Sequence, residues 1–201
     1  MGFLTNIQPS PAGGSGNYYK FTQGENKFRI VGSSDTTPPG LIQGMIGWGE
    51  DNEGNRKPFR WKLGVDAPRE FAEKPKEFFA FLVWNYDEAC VQILELTQAG
   101  LKSELVTLAE DKEWGDPRKN DIAVIRNGEG IDTSYVMTPK PHKKLSPAAV
   151  AMVKATTVNL EALYDGGDPF EDAPVATPAK PAELKEPAVE EEEEGEEENP
   201  Y

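Results

Sequence analysis

The sequence predicts a mainly β domain with one internal helix, followed by a helical segment and a disordered acidic tail. Three observations lead there. Between residues 25 and 141, seven short runs are apolar throughout or alternate apolar with polar residues. Only one stretch in that span repeats its apolar residues at helical spacing. Charge is also unevenly placed: residues 1–164 carry a net charge of −2 and residues 165–201 carry −12, giving −14 for the 201-residue chain.

Residues 1–24, with "SPAGGSGNYY", read as a flexible arm. "KFRIV" (27–31) is the first strand, with Phe28 and Ile30 on one side and Lys27 and Arg29 on the other. "LIQGMIGW" (41–48) is a second strand, and its internal glycines point to a bulge or sharp bend. After the turn "GEDNEGN", "PFRWKL" (58–63) alternates. Phe59, Trp61 and Leu63 share one face, and Arg60 and Lys62 share the other.

"EFFAFLVWNY" (77–86) and "ACVQILELT" (89–97) are apolar runs joined at Asp87-Glu88, a hairpin. In "QAGLKSELVTLAED", Leu101, Leu105 and Leu108 recur at i, i+4 and i+7, which makes one amphipathic helix. "DIAVIR" (121–126), the turn "NGEG" and "DTSYVMT" (132–138) close the domain as a second hairpin. A single helix between the third and fourth principal strands matches a five-stranded OB-fold barrel. Periodicity alone does not separate that barrel from other small barrels.

The expected organisation is an arm over 1–24, an OB-fold domain over 25–141, a helical extension over 142–167 and a disordered acidic tail over 168–201. In the extension, Ser146 is the N-cap and Pro147 the first helical residue. Val150, Val153, Thr157, Leu160 and Tyr164 form a stripe that packs one helix, or two short ones, on the barrel. A homodimer contact is the other use for such a stripe. The tail is rich in Pro, Ala and Glu and cannot bury enough apolar surface to offset its chain entropy.

Catalytic constellations are missing. The chain has one cysteine, Cys90, and one histidine, His142, so no Cys/His zinc site can form; His142 sits in the proline-rich basic loop "PKPHKK", which argues against a Ser-His-Asp or Cys-His pair, and no cofactor is expected. Cys90 lies in an apolar run and reads as a buried small hydrophobe. "RNGEG" lacks the Lys-Ser/Thr of a phosphate loop. Asp165, Asp168, Glu171 and Asp172 do not match calcium-loop spacing and read as a solvated linker. No run is long enough to cross a membrane as a helix, and "MGFLTN" has Asn6 where myristoylation requires Ser or Thr. A non-enzymatic protein of the reducing cytoplasm is the expectation.

Binding has better candidates. A groove for single-stranded nucleic acid needs cations for phosphates and flat rings for bases. Here they interleave: Lys27 and Arg29 beside Phe28; Arg56, Lys57, Arg60 and Lys62 around Phe59 and Trp61; Trp48 between glycines; Trp84 and Tyr86 on the central strand; and Arg126 at a strand end. Each ring taken alone fits a core position more readily than a binding one.

Four segments make a resemblance specific: "ENKFRIV", "FFAFLVWNYDEACVQILELTQAGLKSEL", "EWGDPRKNDIAVIRNGEGIDTSYVMTPKP" and the Glu-rich end. Over Gly24–Pro141, together with "LEALYDGGDPF" and the tail, the chain resembles the phage-type single-stranded DNA-binding proteins. The resemblance implies an OB-fold that coats DNA in phage replication, recombination and repair, in the cytoplasm of the bacterial host. It also implies partners such as a phage DNA polymerase, helicase/primase or recombination protein. Relatives with a structural zinc module need a Cys/His cluster, which this chain cannot build.

The tail ends "AVEEEEEGEEENPY". Its Glu run mimics the charge of DNA and competes for a cationic groove. Glu196, Glu197, Glu198, Pro200 and Tyr201 fit a partner's basic, apolar pocket. A different class of function, an acidic DNA mimic that blocks a DNA-binding enzyme, fits the same tail.

Overall fold

The computed structural model describes residues 16–32, 37 and 39–170. Residues 1–15 of the expected arm, most of the acidic tail, and the partner-binding residues Glu196, Glu197, Glu198, Pro200 and Tyr201 lie outside the described residues. Seven strands form one antiparallel sheet: β1 (Gly24–Ile30), β2 (Leu41–Glu50), β3 (Arg56–Lys62), β4 (Lys76–Asn85), β5 (Cys90–Leu96), β6 (Asn120–Asn127) and β7 (Ser134–His142). Helix α1 (Ala99–Glu110) joins β5 to β6. Helices α2 (Pro147–Ala155) and α3 (Ala162–Asp165) follow β7. No helix among the described residues is long and apolar enough to cross a membrane.

β4 organises the sheet. Its residues 79–85 pair with β5 along one edge. Along the other edge, 76–81 pair with β2 and 83–85 with β1. So β1 and β2 lie end to end, like one long strand interrupted by a loop. At the junction, the Val31 and Gly32 amides donate to the Leu82 carbonyl, and the Leu82 amide donates to the Gly40 carbonyl. A side chain at Gly32 would overlap the Gly40 carbonyl, so glycine is required for this close approach. β1 then pairs with β6, and β6 with β7.

Because β4 is covered on both faces, its residues 78–84 are apolar throughout rather than alternating. On the inner face, Phe28, Ile30, Phe81, Val83, Leu94, Leu96, Ile122 and Val124 meet the predicted stripe Leu101, Leu105 and Leu108 of α1. On the outer face, Val158, Leu160 and Leu163 of the C-terminal segment pack on Ile42, Ile46, Phe78, Ala80 and Ile93. The Ser146 hydroxyl accepts from the Ala149 amide, and Pro147 opens α2, as the capping pattern predicts. The continuous stripe does not become one helix. α2 ends at Ala155, and Val158 and Leu160 insert into the outer core from non-helical backbone.

The expected five-stranded barrel is instead a seven-stranded sheet, and among the described residues no backbone ladder closes it. β5 and β7 do not pair. Residues 16–20, expected as part of the arm, run beside the β5 edge instead. The Tyr19 amide donates to the Ile93 carbonyl at 2.8 Å, and the Ile93 amide donates to the Asn17 carbonyl at 2.8 Å. Tyr19 is buried, Phe21 packs beside it, and Phe21 meets Tyr135 of β7 with ring centroids 5.6 Å apart. Side chains, rather than a ladder, fill the gap between β5 and β7.

Two smaller expectations also change. β2 pairs with β3 in unbroken register from Gly44 to Glu50, without a bulge. Its glycines make room for rings: a methyl at Gly47 would lie 2.8 Å from the Phe71 ring. Cys90 is half-buried rather than enclosed, and burial pushes its thiol up to about 11.

Candidate nucleic-acid interface

The hairpin β2–β3 projects beyond the end of β4, since β4 pairs with β2 only as far as Ile46. Residues directly opposite in an antiparallel pair share a face. Trp48 faces Pro58, Glu50 faces Arg56, Ile46 faces Arg60 and Gly44 faces Lys62. Arg56, Arg60 and Lys62 therefore line one face of β3 with Trp48 alongside. Successive members on that face are about 6.8 Å apart per two residues. This is the outer face, shared with the C-terminal segment.

Trp48 is 45% exposed, and the Arg56 guanidinium lies 5.5 Å from its ring centroid. Arg56 also pairs with Glu73 at 2.9 Å, and Lys62 pairs with Glu161 at 3.2 Å, all four side chains being exposed. Arg60 differs. It is largely enclosed and bonds Glu95 on β5 at 2.6 Å, so it does not face open solvent as the alternation alone predicts.

Lys57, Phe59 and Trp61 occupy the opposite face of the hairpin. Trp61 is buried and stacks on Phe71, centroids 5.4 Å apart and planes 3° from parallel. Phe59 is half-buried, with Lys57 5.6 Å and Arg69 5.2 Å from its centroid. Leu63 falls beyond the end of β3 and is exposed rather than in line with Trp61. A cleft of about 290 Å³ opens at the free edge of β2, where Trp48, Glu50 and Arg56 meet Arg69, Phe71 and Glu73.

The remaining candidates lie elsewhere. Lys27, Arg29 and Tyr86 gather round Asp121 on the outer face, at the other end of β4, and Trp84 lies opposite Arg29 in the β1–β4 pair. Asp121 accepts from Tyr86 Oη at 2.6 Å and Arg29 Nε at 2.7 Å, and Lys27 Nζ lies 3.0 Å away. Burial alone would raise the Asp121 pKa, but these donors outweigh it and hold it below the ordinary carboxylate value. Burial and the bond to Asp121 push Tyr86 up to about 12. Arg29 and Trp84 are buried, and so are removed from contact with a ligand in this conformation. The C-terminal segment covers the sheet between this group and the hairpin. Arg126 is on the inner face, where its guanidinium donates to the Phe21 carbonyl at 2.9 Å.

No family model, curated protein or solved structure matches this chain.

The site therefore rests on geometry. Of the twelve residues singled out from sequence, the structure gathers seven at the hairpin: Trp48, Arg56, Lys57, Phe59, Arg60, Trp61 and Lys62. It adds four the sequence reading passed over: Arg69, Phe71, Glu73 and Glu161. The available signal for Phe71 was an isolated ring in the charged stretch "DAPREFAEK", downstream of a strand with unexplained glycines.

Proposed function

We propose that the chain binds single-stranded DNA without sequence preference, as a non-enzymatic coat protein, through the outer face of the β2–β3 hairpin. The observation that carries this reading is the exposed Trp48 ring, set beside Arg56 on the face that also presents Lys62. A ring can stack on any base, and the bases of a duplex are already stacked. The OB reading draws support from the strand order. β1 and β2 together, then β4, β5, β6 and β7, follow the five-strand OB sequence. α1 lies between the third and fourth of these, with β3 as an added hairpin and the closing pair absent. The likeness to phage-type proteins suggests work in phage replication, recombination and repair within the host cytoplasm.

The test is a titration with oligo-dT, followed by Trp emission at two salt concentrations. Emission is expected to fall, and single strands to bind more tightly than duplex. Unchanged emission at saturating oligo-dT removes Trp48 from the stacking role. Equal affinity for both forms of DNA marks a general polyanion sink, and no binding at all favours a DNA mimic.

The tail belongs to the same reading. Residues 183–201 carry ten Glu and one Lys, a net charge of −9. Tethering sets their effective concentration at the cationic face on the order of millimolar. Their removal is expected to tighten DNA binding, most at low salt, because the Debye length shrinks to about 3 Å at 1 M. Deleting only Pro200 and Tyr201 should leave DNA affinity unchanged and abolish recruitment of a replication or recombination partner. If the short deletion tightens DNA binding as much as the long one, charge competition is the wrong mechanism.

A further inference from the structure

The cations on the outer face of β3 are already paired, and the pairs fall into two kinds. Arg60 and Glu95 are enclosed, with side chains 12% and 18% exposed. Exchanging Glu95 for a phosphate would leave a carboxylate stranded between strands. Arg56–Glu73 and Lys62–Glu161 are open, with every side chain at least half exposed. The two acids come from different places. Glu73 lies in the connection between β3 and β4, and Glu161 lies just before α3. Both meet the hairpin from outside it. Pairs this exposed add little to folding stability, so stability is a poor account of why two separate elements each aim an acid at this face.

We infer that Glu73 and Glu161 are built-in stand-ins for DNA phosphates, each held on its cation until a phosphate displaces it. This rests on the reading of the hairpin as the DNA site and names a means of regulating it. The exchange is balanced: Arg56 and Lys62 swap one oxyanion for another, and each displaced carboxylate turns to water. Two consequences follow. DNA must outcompete both acids, so they weaken binding. Each freed carboxylate also gathers cations from solution as a phosphate sheds them, so the acids flatten the salt dependence. Asp51, 3.9 Å from Lys57, is left out of the set. Its carboxylate accepts from the Glu53 and Asn55 amides and so shapes the β2–β3 turn.

The experiment measures oligo-dT affinity of the full chain and of Glu73→Gln, Glu161→Gln and the double variant, at low and high salt. Each single change should tighten binding at low salt by roughly 1.5- to 5-fold, the worth of one exposed pair. The gain should shrink as salt rises, and the double variant should show a steeper salt slope. Glu129→Gln, an exposed acid in the β6–β7 turn, makes the same change in net charge away from the hairpin and should have a smaller effect. In an Arg56→Ala background the gain from Glu73→Gln should vanish, because the cation it frees is gone. Equal gains from Glu129→Gln and Glu73→Gln, or a gain that survives without Arg56, overturn the inference in favour of net charge alone. So does unchanged or weaker binding by variants that unfold at the same temperature as the parent. If the parent itself fails to bind oligo-dT, the hairpin reading fails first, and that outcome is separate from the others.

Discussion

Asp121→Ala is expected to destabilise the fold by about 3–5 kcal/mol, the cost of removing one partner from a buried ion pair. Asp121 is 2% exposed, and three side chains converge on it: Tyr86, Arg29 and Lys27. Arg29 is nearly as buried, and its remaining donors go to the Lys143 carbonyl at 2.8 Å and the Arg118 carbonyl at 3.3 Å. The guanidinium thus ties β1 to β6 and to the chain just after β7. Without Asp121 it stays in place as a charge with no counter-charge. The expected loss is a large part of a typical 5–15 kcal/mol total. Guanidinium unfolding at pH 7 reads it directly, and a loss below about 1 kcal/mol would show that water reaches Arg29 freely. Acid gives an independent check. A carboxyl whose folded pKa is depressed contributes stability that is fully present above its unfolded value, near 3.9, and lost as pH falls through the folded value. Parent stability should therefore hold near neutral pH and decline below about pH 4. Asp121→Asn, which cannot ionise, should decline less steeply over the same range.

That network also marks where sequence reading stopped. Alternation in "KFRIV" correctly places Lys27 and Arg29 on the face opposite Phe28 and Ile30. It cannot say what covers that face, and Asp121 enters from 92 positions beyond Arg29. A cation on the polar side of a strand therefore reads as solvent-facing when it is buried and paired. The reverse holds for α1. Leu101, Leu105 and Leu108 need only local spacing to be recognised, and all three are buried as expected.

Each strand was likewise legible from its own residues, because period and turn chemistry are local. The closure of the sheet was not. Whether β5 pairs with β7 or with Tyr18 and Tyr19 depends on contacts across the whole domain, and the polar, glycine-rich composition of the arm gave no hint of an edge partner. The tryptophans divide in the same way. Trp48 and Trp84 sit on largely apolar strands, and Trp61 sits on the alternating β3. Phe71 folds back onto Trp61, and Trp48 is open where β2 outruns β4.

Trp48→Ala is expected to weaken oligo-dT binding by about 5- to 150-fold, the 1–3 kcal/mol of one base–ring stack. Trp48 is the exposed ring on the cationic face of the hairpin, and the fold does not depend on it. Its neighbours across the strand pair are Pro58 and the Arg56 guanidinium rather than core residues. The variant should therefore unfold near the parental temperature, whereas Trp61→Ala, which removes the partner of Phe71, should unfold earlier. Salt separates stacking from charge. Stacking moves no ions, so Trp48→Ala should lower affinity by the same factor at every salt concentration. Arg56→Ala should instead reduce the salt slope, by less than the roughly 0.7 of a whole phosphate contact, because Glu73 no longer takes up cations when DNA binds. Trp48→Phe keeps a ring and should retain most of the affinity while abolishing the fluorescence quench. Buried Trp61 and Trp84, and Trp114 away from the hairpin, then remain as unresponsive emitters. If Trp48→Ala binds like the parent while Arg56→Ala still flattens the slope, DNA touches this face through phosphates alone. Any base stacking would then have to come from another ring, Tyr164 beside Lys62 or Phe59 on the other side of the hairpin.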